Sequence, residues 1–271
     1  MKNILLIGCG HMGGSLMSGW SNSKNYTINV IDKKKYAILK KRNRNKKIKF
    51  FKSIDDINNQ NNLDYVIFAT RPLELTNVFK ELKNTNFNKK TTVISVIAGK
   101  KTQIFKKNLL NIRKIVRVMP NMPALIGEGV HCIYTNKSIN KKEIKEIDKL
   151  FSLSGKTIFF NSETFIDKAT AVSGSGPGFI FKLIDIMEKS AINLGFSKNT
   201  AKILINETFR GSLNLLNSNN ISAEKMVETV ATRGGTTEAG IKKMLINKVD
   251  SIFNQVFKAA YKRAKQQGKD Q

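Results

Sequence analysis

At 271 residues the chain has room for one large domain or two ordinary ones, and at about 150 residues per domain two is the better expectation. Hydrophobic residues at 41% and charged residues at 25% exclude disordered, collagen-like and disulfide-stapled classes. The net charge of +27 raises nucleic-acid binding as a hypothesis. However, the basic set is 39 Lys against 8 Arg, beside 29 Asn, a bias that A+T-rich codons produce without any DNA contact. No nucleic-acid motif accompanies it, so no specific nucleic-acid partner is expected. Cys9 and Cys132, with His11 and His131, do not form a zinc-ligand pattern, and no metal site is expected. No apolar run reaches about 18 residues, so no membrane partner is expected. Leu6-Ile7-Gly8-Cys9 imitates a lipoprotein cleavage box, yet only Ile4 to Ile7 precede it where a secretory signal needs about 7 to 15 apolar residues. The expected location is the cytoplasm.

In chain order, short apolar runs alternate with polar, helix-like segments as far as residue 160. The runs are Asn3–Ile7, Thr27–Ile31, Asp64–Ala69, Thr92–Ala98, Ile115–Met119, Gly129–Tyr134 and Thr157–Phe160. Unbroken Val/Ile/Phe runs belong to strands buried on both faces, which predicts an α/β doubly wound parallel sheet of the Rossmann kind. Segment 33–52 holds eleven Lys/Arg and no acid and reads as a solvated helix face. After Phe160 the apolar spacing becomes helical, so the expected division is 1–161, a dinucleotide-binding domain, and 162–271, an all-α domain. Within the latter, Phe179 to Met187 is apolar on more than one helical face. Burial in a dimer interface and burial within a single subunit both account for that.

Gly8-Cys9-Gly10-His11-Met12-Gly13 is a G-x-G-x-x-G sequence that follows the first strand and opens a helical segment. Gly8 permits the tight turn, Gly10 lets the backbone approach a pyrophosphate, and Gly13 lets helix and strand pack closely. Asp32 ends the next strand 19 residues after Gly13, where a carboxylate accepts hydrogen bonds from the adenosine ribose and favours NAD(H). Lys33, Lys34 and Lys35 favour the extra phosphate of NADP(H). Both coenzymes stay open on sign alone. Further on, Arg117 to Ala124 forms a proline-containing loop after a strand, Ser173 to Pro177 precedes the apolar helix, and Arg233 to Glu238 places two glycines before a helix whose free N–H groups suit a carboxylate.

Six blocks in this order resemble pyrroline-5-carboxylate reductases over residues 3 to about 264. They are the glycine fingerprint with Met12, Ala69-Thr70-Arg71-Pro72, Ser95 to Gly99, Arg117 to Gly129, Ala171 to Pro177 and Gly234 to Gly240. The resemblance implies a Rossmann domain followed by a helical dimerisation domain, in a homodimer or a larger homo-oligomer of dimers. It also implies reduction of 1-pyrroline-5-carboxylate to L-proline by NAD(P)H, the last step of proline biosynthesis. By similarity, Gly8, Cys9, Gly10, His11, Met12, Gly13, Asp32, Lys33, Lys34, Ala69, Thr70, Arg71, Pro72, Val96, Ile97 and Ala98 line the coenzyme. Glu163, Ser175, Gly234, Gly235, Thr236 and Thr237 meet the substrate. The chain departs from the family at Arg71, where Lys is usual, and at Thr229 to Arg233, where Asn-Val-Thr-Ser-Pro is common.

A protonated imine is already a good electrophile, so the protein needs mainly to orient the reactants. Thr237 is the expected catalytic residue, hydrogen-bonded to the ring nitrogen and relaying a proton from water, with the N–H groups of Gly235 and Thr236 on the carboxylate. Its competing role is that of a helix cap. Neither histidine is placed like a general acid. The enzyme alternative is another imine or β-hydroxyacid reductase on the same two-domain plan; a β-hydroxyacid dehydrogenase would place a catalytic lysine on the long helix, where this chain has Lys182 and Lys189 without an Asn partner. The alternatives outside catalysis are a redox-sensing nucleotide binder and a basic nucleic-acid binder.

Overall fold

The computed structural model describes residues 1–57, 60–219 and 221–268. Among them the strands are β1 (Lys2–Ile7), β2 (Tyr26–Ile31), β3 (Ile48–Phe51), β4 (Tyr65–Phe68), β5 (Thr92–Ser95), β6 (Lys114–Met119), β7 (Gly129–Thr135) and β8 (Gly155–Phe160). They form one sheet in the order β3-β2-β1-β4-β5-β6-β7-β8. The first six are parallel and follow the order of dinucleotide-binding sheets. Helices α1 (His11–Ser21), α2 (Tyr36–Arg42), α3 (Leu75–Glu81), α4 (Thr102–Asn108) and α5 (Lys141–Phe151) are interleaved with them.

Side chains from alternate positions of the central strands fill two cores. Ile4, Leu6, Ile28 and Val30 join Leu16 and Trp20 of α1 and Ile147, Leu150 and Phe151 of α5 in one core. Leu5, Ile7, Val66 and Phe68 join Phe79 of α3 and Phe105 of α4 in the other. Burial on both faces explains why these strands show no hydrophobic alternation. Trp20 Nε1 donates to the Leu150 carbonyl at 3.0 Å and the indole meets Phe151 edge-on, which locks α1 to α5. Asn140 and Glu143 form a reciprocal capping box that starts α5.

Two expectations need correction. The sheet is not wholly parallel, because β7 runs antiparallel to β6. The connection 120–128 is too short for a crossover, which needs a dozen or more residues. The basic run 33–52 is only partly helix, since α2 is followed by edge strand β3, with Ile48 buried and Lys49 exposed. Lysines on an edge strand deter pairing with another chain, and they also mask its apolar signal.

After Phe160 the elements are helical: α6 (Thr164–Ala169), a single π turn over Thr170–Gly174, α7 (Gly176–Asn193), α8 (Lys198–Asn219), α9 (Ala223–Val230), α10 (Thr236–Ile246) and α11 (Val249–Gln267). The chain forms two compact units, Met1–Pro177 with Ala260–Gln271, and Gly178–Ala259. Ala191 and Ala201 are the only hydrophobic residues buried among the described part of the second unit, while Ile180, Phe181, Ile186 and Met187 of α7 are exposed. Exposed apolar surface of this extent marks an interaction face.

His131 on β7 is fully buried. Its Nε2 lies 3.0 Å from Ser154 Oγ, its ring packs against Phe151, and burial pushes its pKa down to about 4. The unfolded chain, with an ordinary value near 6.5, therefore binds a proton that the folded chain refuses between pH 6.5 and 4, so stability falls as pH falls through that window. By the size of the shift the loss approaches about 3 kcal/mol. Denaturant unfolding of wild type and His131→Asn across pH 4 to 7 should show the wild type losing its advantage as acid is added. Parallel curves would disprove this assignment.

Candidate active site

The turn from β1 into α1 is shaped by glycine. Gly8 has φ +94, and a Cβ there would stand 2.8 Å from the Ala69 carbonyl oxygen. At Gly13 a Cβ would lie 2.2 Å from the Gly8 carbonyl oxygen, so α1 can rest on this turn only without one. Gly10 differs, because nothing lies within 4 Å of the position its Cβ would take. That open space faces the N-terminus of α1, where free N–H groups favour an anion.

Asp32 fixes the loop from the next strand. Its Oδ2 accepts the Cys9 N–H at 2.8 Å and its Oδ1 accepts the Lys35 N–H at 3.0 Å. Both oxygens thus already hold backbone, and any ribose hydroxyl would share them. Two adjoining hollows border this clamp and have Gly8, Asp32, Lys34, Thr70 and Glu74 in common. One extends to Ile31, Lys33, Asn77 and Glu81, the other to Gly10, His11, Met12, Lys35, Ala69 and Arg71. Lys34 pairs with Glu74 and Lys33 with Glu81, each at 2.7 Å, so two of the expected lysines are held by acids that sequence reasoning missed. Thr70 Oγ1 is buried without a hydrogen-bond partner among the described residues. A cradle opened by Gly10 at a helix start, with an orphaned hydroxyl beside it, fits a dinucleotide.

The other expected coenzyme residues stand apart from these hollows. Cys9 is buried and burial, reinforced by Asp32, pushes its thiol up to about 11; it is a packed thiol, not a nucleophile. Pro72 opens the short turn before α3. Val96, Ile97 and Ala98 leave the end of β5, where Ser95 Oγ accepts the Ile97 N–H.

Glu163 is engaged within the first unit. Its Oε1 accepts the Thr102 N–H at 2.7 Å and its Oε2 the Thr102 hydroxyl at 3.0 Å, while Arg117 lies 3.6 Å away and also donates to Asp167 at 2.6 Å. Ser175 closes the π turn, with both its N–H and its hydroxyl donating to the Thr170 carbonyl.

In the second unit, Gly234 has φ +75 and Gly235 caps α10. The Gly234 N–H donates to Glu238 at 2.8 Å, and this bond, with Lys242 beyond it, holds the Glu238 carboxyl below its ordinary range. The Gly235 N–H donates to the Thr232 carbonyl at 2.9 Å, so the first-turn N–H groups of Thr236 and Thr237 are the ones placed to receive a carboxylate. Both residues are exposed. Thr237 also borders an apolar hollow with Leu216, Met226, Val230 and Ile241. Thr229 donates to the Lys225 carbonyl within α9. Lys182 and Lys189 both pair with Asp185 on the exposed surface of α7, which does not suit a catalytic lysine.

Comparisons with known proteins accord with this geometry. Residues 163–267 match the family described as pyrroline-5-carboxylate reductase dimerisation, and residues 3–99 match the NADP oxidoreductase, coenzyme F420-dependent family. The pyrroline-5-carboxylate reductase of Pseudomonas aeruginosa is 30% identical over 74% of this chain and 73% of its own, and that of Haemophilus influenzae 28% over 80% and 82%. A pyrroline-5-carboxylate reductase structure from Coxiella burnetii superposes with a TM-score of 0.85 at 28% identity, covering 98% of each chain. A Plasmodium falciparum pyrroline carboxylate reductase with NADP bound shares the fold at 22% identity, with a TM-score of 0.84 and 98% of each chain covered. With a dinucleotide cradle in the first unit, a glycine-led helix start in the second and relatives of one kind along its length, this chain belongs to the pyrroline-5-carboxylate reductase family.

Proposed function

We propose that the chain reduces 1-pyrroline-5-carboxylate to L-proline with NADPH or NADH, the last step of proline biosynthesis. The observation that carries this reading is the presence in one chain of a dinucleotide cradle at Gly10 and an anion-ready helix start at Thr236 and Thr237. When bound, the reduced nicotinamide supplies the hydride. The protein's own tasks are to orient and to hold. The N–H groups of Thr236 and Thr237 hold the carboxylate, and the Thr237 hydroxyl supports the ring nitrogen. Neither histidine is needed as an acid, since His131 is buried and neutral and the imine arrives protonated.

The working form is a homodimer or a homo-oligomer of dimers. The exposed apolar side chains of α7, with Phe181 at 58% and Ile186 at 47%, support this, as does the family match over residues 163–267. Introducing a charge by Phe181→Asp should shift the assembly towards monomer in light scattering. An unchanged mass would place the contact elsewhere.

Thr237→Ala should lower turnover roughly 5-fold to 150-fold, the equivalent of one hydrogen bond of about 1 to 3 kcal/mol, with coenzyme affinity nearly unchanged. Equal kinetics would remove Thr237 from the mechanism. Gly10→Val should fold normally, because the side chain meets open space, and yet lose coenzyme binding. Normal coenzyme titration of that variant would overturn the assignment of the cradle.

A further inference from the structure

The segment from Val96 to Lys101 joins β5 to α4 and is fixed at three points. Near its start, Ser95 Oγ accepts the Ile97 N–H at 3.3 Å. In its middle, Gly99 has φ +77, and a Cβ there would stand 2.9 Å from the Gln267 carbonyl carbon; the last turn of α11 packs directly on the loop. Just beyond its end, Glu163 receives both the N–H and the hydroxyl of Thr102. A carboxylate held through both oxygens has a fixed orientation, and Arg117 fixes it from the other side. That guanidinium is 1% exposed and bridges Glu163 and Asp167. In the sheet register Arg117 stands beside Ser95, the residue at which β5 ends.

We propose that Glu163 is a positioning residue for the reduction: through Thr102 it sets the Val96–Ala98 segment against the nicotinamide end of the coenzyme, with Arg117 as its buried support. This rests on the reading that Val96–Ala98 meets the coenzyme, and it assigns Glu163 an indirect role in place of a substrate contact. The pair joins residues 61 positions apart and so ties the start of α6 to the segment that follows β5. Thr102 and Glu163 therefore act as a unit, and their effects do not add.

The test compares Glu163→Ala, Glu163→Gln, Thr102→Val and the Glu163→Ala/Thr102→Val double variant. NADPH and NADH titrations, followed by nicotinamide fluorescence, are set beside steady-state kinetics. Glu163→Ala should weaken coenzyme binding about tenfold, the effect of losing a charge-assisted hydrogen bond, and lower kcat, while KM for pyrroline-5-carboxylate moves less than about twofold. Glu163→Gln should recover part of the loss, because its amide oxygen still accepts the Thr102 N–H. The double variant should be no worse than Glu163→Ala. A raised substrate KM with unchanged coenzyme titration would make Glu163 a substrate contact and overturn the proposal, as would additive losses. Should Glu163→Ala not fold, Glu163→Gln and Thr102→Val decide by the same readouts. The coenzyme titrations hold even if pyrroline-5-carboxylate is not the substrate, so the two readings fail separately.

Discussion

Helix α1 can lie against β1 only because positions 8 and 13 carry no side chain. A Cβ at Gly13 would overlap the Gly8 carbonyl oxygen, and one at Gly8 would strike the Ala69–Thr70 backbone. From that close approach the rest of the first unit follows. The N-terminus of α1 is brought to the crossover of the sheet, the Cys9 N–H comes within reach of Asp32, and Thr70 is carried to the edge of both hollows. The far end of the same helix is fixed independently, where Trp20 bonds to Leu150 and Gly19 lets the Leu153 carbonyl approach. A helix tied at both ends presents its N–H groups at a fixed place, which is what anion binding without reorganisation requires.

The acids near the candidate sites are used economically in a chain of net charge +27. Asp32, Glu163 and Glu238 each accept a backbone N–H and so fasten a loop. Glu74 and Glu81 hold Lys34 and Lys33 instead. These last pairs are largely exposed, and pairs of that kind contribute about 0 to 1 kcal/mol. A coenzyme phosphate that reached either lysine would therefore displace its glutamate at little cost. Asp32 holds backbone through both oxygens, and a ribose hydroxyl would share them.

Sequence patterns and structural partners differ in what they reveal. The β4 and β5 strands were legible because burial on both faces leaves unbroken apolar runs, and the glycine fingerprint was legible because its spacing is local. Strand β3 was not, since its edge position lets lysine replace apolar residues on the open face. Glu74 and Glu81 escaped for another reason: their partners lie 40 and 48 positions away, on a separate turn brought close only by the sheet. The Thr102 partner of Glu163 is likewise absent from the sequence pattern, because the two residues lie 61 positions apart. The hydrogen bonds by which Ser175 closes the π turn are equally invisible in the motif that carries it.

Three of the ionisable groups in the first unit are restrained by their surroundings. Burial holds Cys9 protonated and His131 neutral, and Arg117 is enclosed with two carboxylates. The candidate sites also offer hydroxyls and backbone N–H groups, at Thr70, Thr236 and Thr237. Such groups orient charge without changing it, which suits a reaction whose electrophile brings its own proton and whose hydride comes from a coenzyme. Rate then depends on how closely the two reactants are held, where a displacement of about 1 Å can lower turnover a hundredfold. The structure invests in backbone constraint accordingly, with glycines at 8, 13, 99 and 234 in tight or left-handed positions, and with carboxylates that fasten loops in place of carboxylates that move protons.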